Sequence, residues 1–366
     1  MRLSIAGGAM LVAFAGTAVA QTGPIPGTIN DKPLTEMWAP SKWGVDDKAG
    51  SANHTNNSAN IARALATIRQ NKVITIGKYY HREAPSSGSP GWQMTIVGTP
   101  TGGPLGKNAL VYQDELVVTE IGQIQTQLDG PGHIGVNTSN GPFFYNGRIS
   151  WDAYERGIGR RVLGMGPLGV EHVGELGFVC RLVVLDAVAY RKSQGLLQAS
   201  AEMLPIPTQP GDVGIVTADD VKGILRAQGL ADIGPGDCVA LHTGQGNTWS
   251  NDRYKSLSSE QRAAARAIFA QGEPGFGISA CEYLALRDIA LQMGDTSSND
   301  AQPGGEEVGY ALPCHTQNQT RRGIWNLEHV DTKSLVDRGI REGAFIWAPM
   351  RIIGGTGSPG NPVVLY

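Results

Sequence analysis

The residues best suited to chemistry lie in one short run, Gln123-Ile-Gln-Thr-Gln-Leu-Asp-Gly-Pro-Gly-His133. Gln123, Gln125, Gln127 and Asp129 alternate, so a strand through them would put all four on one face. Three amides and a carboxylate on one strand face cannot line a dry core without many partners. That face must meet water, a polar cavity or a metal. Gly130-Pro131-Gly132 then forces a turn that brings His133 back over the same face. Amide and carboxylate oxygens with an imidazole suit a divalent cation. The same pattern also describes a solvent-facing edge strand followed by a turn histidine.

A second polar cluster is Pro313-Cys-His315 with Ile324-Trp-Asn-Leu-Glu328-His329. His315 and Glu328 have metal-ligand capacity among apolar neighbours, though a surface loop with incidental charge reads alike. The third is Gly294-Asp295-Thr-Ser-Ser-Asn-Asp300 after the apolar Ile289–Met293. A carboxylate ending a buried strand is where α/β sites gather; Asp295 serves equally as a helix cap. The glycine-rich tail Ile352–Gly360 lacks the lysine and spacing of a P-loop, and Gly244-Gln-Gly246 is weaker still, so a nucleotide site is not supported.

These clusters sit in a chain of 366 residues with 30 Lys+Arg, 33 Asp+Glu and a net charge of -3. Near-balance excludes a broad basic footprint for nucleic acid. With 41% hydrophobic and 17% charged residues the chain can bury a core. The 50 glycines follow no Gly-x-y period, which excludes collagen and implies many tight turns. Residues 1–20 combine Arg2, an apolar run from Ile5 and Ala18-Val19-Ala20, the pattern of a secretory signal peptide cleaved before Gln21. The expected location is periplasmic or secreted, with no membrane attachment after cleavage. Cys180, Cys238, Cys281 and Cys314 then face an oxidising compartment, where two disulfides or buried free thiols are both open.

The elements that must position these groups are short. Residues 21–50 read as an extended N-terminal arm. Asn57 to Gln70 carries helical spacing at Ile61, Leu65 and Ile68, followed by a strand at Val73–Ile76. The turn-rich 84–108 segment is a covering loop or an insertion. Three helix starts show a hydroxyl three residues before an acid or amide: Thr217 with Asp220, Ser258 with Gln261, Ser279 with Glu282. Gly229 and Gly272 are placed as C-terminal caps. Strand-like runs fall at Leu182–Leu185, Cys238–His242, Ala344–Ile346 and Val363–Leu365. Short strands alternating with helices predict one mixed α/β (α+β) domain over 51–366, with a central mixed β-sheet or barrel-like core flanked by helices.

Taken together and in order, the motifs resemble the metal-dependent cyclase family of hydrolases, which includes kynurenine formamidase and isatin hydrolase. The family pattern His-x-Gly-Thr-His-x-Asp-x-Pro-x-His lines up with Gln123 to His133, matching at Thr126, Asp129, Pro131 and His133. Trp43-Gly-Val-Asp-Asp47, Gly236-Asp237, Thr243-Gly244, Asp295-Thr296, His315, Glu328 and Gly354–Pro359 follow in the family's order. The first two motif histidines are Gln123 and Gln127 here, a variant similar to the trans-dienelactone hydrolase-like branch.

The resemblance implies a swivelling β/β/α fold and one metal site, holding Zn²⁺ or Mn²⁺, built from Asp129, His315, Glu328 and Gln127, with Gln123 as a further candidate. It implies hydrolysis of a small amide, lactone or ester, for which a metal lowers the pKa of bound water from 15.7 to roughly 7. His133 is then expected to take the water proton and Thr126 to orient the water or a ligand. Trp43, Trp92, Phe143, Phe144 and Tyr145 are read as pocket walls or ordinary core. A dimer or tetramer is implied. A binding protein that kept the scaffold and lost the chemistry is the rival reading.

Overall fold

The computed structural model describes residues 39–85, 91–139, 141–149, 164–253 and 255–366. The signal-peptide reading of residues 1–20 and most of the 21–50 arm lie outside the described residues. Among the described residues no helix is long and apolar enough to cross a membrane.

The framework is a nine-stranded sheet in the order Val73–Thr75, Val363–Leu365, Glu342–Trp347, Phe178–Asp186, Cys238–His242, Leu291–Gly294, Trp325–Glu328, Gln127–Asp129, Gly357–Pro359. The four strands from Phe178–Asp186 to Trp325–Glu328 run parallel to one another, and antiparallel strands extend the sheet on both sides. The central strands are near-continuous apolar runs, as expected of parallel strands covered on both faces. Leu182 and Val184 join one core cluster with Phe178, Leu291, Met293, Trp325 and Leu327. Val183 and Leu185 join the other, under the helices Ala218–Gln228 and Ile278–Leu286. This is a mixed α/β domain with a large curled sheet, as the motif order implied.

Local expectations meet mixed outcomes. Capping boxes start Ala218–Gln228 at Thr217 and Ser259–Phe269 at Ser258, and Gly229 is a left-handed C-cap. Ser279 is not a cap: the helix starts at Ile278 with Gly277 as N-cap, and the Ser279 hydroxyl donates to Glu306 instead. Gly272 lies beyond the Ala270 cap. The helix expected over 57–70 stops at Leu65. Of the 84–108 region, residues 86–90 lie outside the described residues, and from Gln93 onward it forms a β-arm in which Gln93–Ile96 pairs with Glu115–Val118 and Gly102–Leu105 with Leu110–Tyr112.

Both disulfides form: Cys180–Cys238 joins adjacent sheet strands and Cys281–Cys314 ties a helix to the segment before His315. Three of the aromatic residues pack in separate ring pairs. Tyr145 is buried edge-on against Trp325 at 5.2 Å and donates to Asp47 at 2.7 Å. Trp92 rests on Tyr80 at 5.3 Å, and Trp43 meets His54 at 5.1 Å.

Candidate metal centre

Period-two alternation builds the site at one end of the sheet. In Trp325–Glu328, Trp325 and Leu327 enter the core while Asn326 and Glu328 face the other way. The antiparallel partner strand does the same with Leu128 inside and Gln127 and Asp129 opposite it. Register pairs Glu328 with Gln127 and Asn326 with Asp129. Directly paired side chains have Cβ atoms about 5 Å apart, so the four polar groups are forced into one space.

His315 closes that space from a π-helical segment, His315–Thr320, a geometry often found at functional sites. Ligand atoms of Asp129, His315 and Glu328 lie within 4.8 Å of one another, and all three residues are buried. His315 Nε2 is 3.2 Å from both Asp129 Oδ2 and Glu328 Oε1 and 3.0 Å from Asn326 Nδ2. On the other side of the ring, Nδ1 bonds Asp300 Oδ2 at 2.6 Å, which fixes the tautomer that leaves Nε2 to face the cluster. Asn326 also donates to Glu328 at 2.7 Å, and Asn299 and Gln292 donate to the Asn326 carbonyl.

Gln127 donates to Glu328 Oε2 at 2.7 Å, yet its buried Oε1 has no partner. Gln123 donates to Asp129 Oδ1 at 3.0 Å and approaches His133 Nδ1 at 3.3 Å. His133 Nε2 is 3.7 Å from Asp129, with the ring 26% exposed, so His133 sits at the rim rather than in the cluster.

The electrostatics are one-sided. Asp129, Asp300 and Glu328 surround one buried imidazole. Burial opposes protonation of His315, but bonds to the three carboxylates outweigh it and raise its pKa well above the ordinary value. Burial and the nearby Asp129 charge push Glu328 well up. Burial works against the Asp129 charge too, but His133 and His315 together hold its pKa low. Three buried carboxylates against one imidazole leave a deficit of positive charge that water cannot screen. A divalent cation fits this donor set: two carboxylates, an imidazole nitrogen whose proton it would displace, and the unpartnered Gln127 oxygen.

Two expectations need correction. The run from Gln123 is not one strand: pairing covers only Gln127–Asp129, and Gln125 has φ 49°. That kink turns Gln125 away to donate to the Pro85 carbonyl at 2.7 Å, while Gln123 still reaches Asp129. Thr126 does not face the cluster. Its hydroxyl donates to the His329 carbonyl at 2.7 Å and accepts from the Lys78 amide at 2.8 Å, so it pins strand to strand instead of orienting a water. Asp300 and Asn326 were not singled out as site residues; the alternation of Asn326 with Glu328 is the one signal that pointed to the latter.

The Asp295 cluster is separate chemistry. Its carboxylate accepts from the Thr243 amide at 2.9 Å and hydroxyl at 2.7 Å, and from the Gly244 amide at 2.9 Å. His242 lies 3.4 Å away. Next to it Lys78 is buried and donates to the carbonyls of Gly246 at 2.7 Å and Trp249 at 3.1 Å. Burial lowers the Lys78 pKa against the pull of Asp331 and Asp295. Burial alone would raise the Asp295 pKa, but His242 and Thr243 bring it to about 2. A carboxylate depressed on folding stabilises the fold above its unfolded pKa, near 3.8, and loses that contribution as pH falls toward 2. The contribution is about 2 kcal/mol. Urea titrations at pH 7 and pH 3 should show Asp295→Asn less stable than wild type at pH 7 and less acid-sensitive by about 1 kcal/mol, roughly half the contribution, because pH 3 still lies above the folded pKa of about 2.

A cleft lined by Glu120–Gln123, Gly164–Met165 and Gly354–Gly357 opens beside Gln123. Its walls meet where Gly122 and Gly357 touch: a Cβ on Gly122 would lie 2.7 Å from the Gly357 Cα.

The chain matches the Cyclase family over residues 84–301, more than half its length, and belongs to that family. Among solved structures, a novel cyclase is 23% identical with a TM-score of 0.68, covering 89% of this chain and 98% of its own. Isatin hydrolase A from Ralstonia solanacearum is 18% identical with a TM-score of 0.50, covering 84% and 94%. An isatin hydrolase bound to the product analogue thioisatinate is 16% identical, TM-score 0.50, covering 85% and 97%. Among curated proteins, none matches the chain by sequence.

Proposed function

We propose that the chain is a metal-dependent hydrolase that opens a small cyclic or aromatic amide, lactone or ester. The observation that carries this reading is the buried Asp129–His315–Glu328 cluster with its excess of carboxylates and the orphaned Gln127 oxygen. Zn²⁺ and Mn²⁺ both suit the donors. When bound, such a cation supplies Lewis acidity toward a water and a carbonyl. The chain's own residues do the rest. Asp300 and Asn326 hold the His315 ring, and Gln123 holds Asp129. His133, at the rim within reach of Asp129, takes a proton from water and returns it to the leaving group.

Amide substrates are favoured by the likeness to isatin hydrolases; a lactone is favoured by the Thr126-Gln127-x-Asp129 segment, which is similar to the dienelactone hydrolase-like branch. A periplasmic or secreted setting suits the N-terminal leader pattern and two disulfides. The test is a panel of isatin, N-formyl aromatics, cyclic imides and lactones with protein loaded with Zn²⁺ or Mn²⁺. Metal-dependent product supports the reading. Tight ligand binding without product in any metal form defeats it in favour of a binding protein. His133→Ala is expected to cut kcat by about 10²–10⁴-fold while metal content, measured by elemental analysis, stays unchanged.

A further inference from the structure

Among the described residues, two groups of three ligand-bearing side chains bring their donor atoms within 4.8 Å of one another: Asp129 with His315 and Glu328, and Cys281 with Asp300 and Cys314, all buried. The two groups meet at Asp300. Its Oδ2 bonds His315 Nδ1 at 2.6 Å, and its Oδ1 accepts from the Cys314 amide at 2.7 Å. Cys281 and Cys314 are joined in a disulfide, and it is the thiolate, not the disulfide sulfur, that ligates metals. We propose that reduction of this bond by a dithiol opens a second metal site, Cys281–Cys314–Asp300, for a soft cation that competes with His315 for Asp300.

The step balances. The dithiol attacks one sulfur, and two electrons and two protons pass from it, leaving Cys281 and Cys314 as thiols and the reductant as its own disulfide. The freed sulfurs separate from bonding distance to van der Waals contact. That spacing is close to the about 3.8 Å between two thiolates on a tetrahedral Zn²⁺ with Zn–S bonds of about 2.3 Å. On binding, the cation displaces both thiol protons to water. An Asp300 oxygen is the third ligand, and a water fills the fourth position. Thiolates select soft ions such as Zn²⁺ and Cu⁺, whereas the carboxylate-rich Asp129–His315–Glu328 group also suits Mn²⁺.

Position favours this bond over the other. A cleft of about 200 Å³ is lined by Ile278, one turn before Cys281 on the same helix, and by Pro313 and Thr316, which flank Cys314 and His315. Reductant therefore has an approach to both elements that the bond joins. Cys180–Cys238 ties two central strands, and among the described residues no carboxylate or imidazole completes a ligand group with it. Asp300 cannot serve two masters. An oxygen drawn onto a cation at the thiolates loosens the hold on the His315 ring, and loss of the partner behind a ligating histidine weakens a metal by about 10–100-fold. The closed disulfide removes the rival site and leaves Asp300 to His315.

Co²⁺ titrated into the dithiol-reduced full chain should give a thiolate-to-cobalt charge-transfer band in the near ultraviolet and one more bound equivalent than the oxidised chain takes. The band should survive in Cys180→Ser with Cys238→Ser and vanish in Cys281→Ser; the unmodified chain carries the first readout whether or not these variants fold. Mn²⁺ affinity, read by electron paramagnetic resonance, should fall by a further 10–100-fold or so when one equivalent of Cd²⁺ is added to reduced protein. Oxidised protein and reduced Cys281→Ser should show no such fall. Four results would each overturn the proposal: no band in the reduced chain, a band kept by Cys281→Ser, thiols at 281 and 314 that resist alkylation after dithiol treatment of the folded chain, or Mn²⁺ affinity indifferent to Cd²⁺. The competition rests on the proposed metal centre, whose own failure is told apart as an oxidised chain that binds no Mn²⁺ while the reduced chain still shows the band.

Discussion

Replacing His315 with alanine is expected to abolish metal binding and reduce turnover by about 10³-fold or more. The ring supplies the only nitrogen among the close ligand atoms of the Asp129–His315–Glu328 cluster and is the sole cationic group between Asp129, Asp300 and Glu328. Its removal leaves three buried carboxylates facing each other, and breaking a buried charge network in this way costs about 3–5 kcal/mol. Elemental analysis and calorimetric titration check the first effect, and urea unfolding checks the second. Asp300→Asn is the graded counterpart. It keeps the ring but weakens the bond at Nδ1, and affinity should fall by about 10–100-fold, the usual result when a partner behind a ligating histidine is changed. A His315→Ala protein that still takes up one equivalent of metal would defeat the assignment of the centre.

The second large effect concerns the Cys281–Cys314 bond. Cys314 precedes His315, and its amide donates to Asp300 Oδ1 at 2.7 Å, the carboxylate that also holds the ring. The disulfide closes a loop with a sequence separation of 33. In the chain-entropy account a loop of that length contributes about 4 kcal/mol. Cys281→Ser with Cys314→Ser should therefore lower stability by about 3–4 kcal/mol, and metal affinity should fall with it because His315 and Asp300 lose their anchor. Cys180→Ser with Cys238→Ser should lower stability and leave affinity near wild type, since that bond joins two central strands away from the cluster. Equal affinity losses in the two double variants would sink the anchoring role.

How much of this was legible depends on distance along the chain. The strands Cys238–His242 and Val363–Leu365 and the caps at Thr217 and Ser258 were readable because their causes are local: apolar runs and a hydroxyl facing an amide three residues on. The arm was not, because Gly102-Gly103-Pro104 and Pro100 announce turns while the pairing of Gln93–Ile96 with Glu115–Val118 spans about a score of residues. At the centre, residue types announced Asp129, His315 and Glu328. The kink at Gln125 escaped notice because alternation of amides counts spacing and carries no sign of φ. Thr126 was misread for a related reason: a threonine beside ligands has a hydroxyl to offer, and only the fold shows that Lys78 and His329 have already engaged it. Asp300 became meaningful only when a π-helical segment delivered His315 to it.

One feature of the sheet reaches into how the molecule comes into being. Gln127 meets Glu328 across 201 residues and Asp129 meets His315 across 186, and the outer flank of the Gln127–Asp129 strand is completed by Gly357–Pro359, close to the last residue. Contacts of such span form slowly, since each must overcome the entropy of closing a long loop before anything is gained. The Asp129–His315–Glu328 centre is thereby among the late features to assemble, after the segments on both sides of the sheet have met.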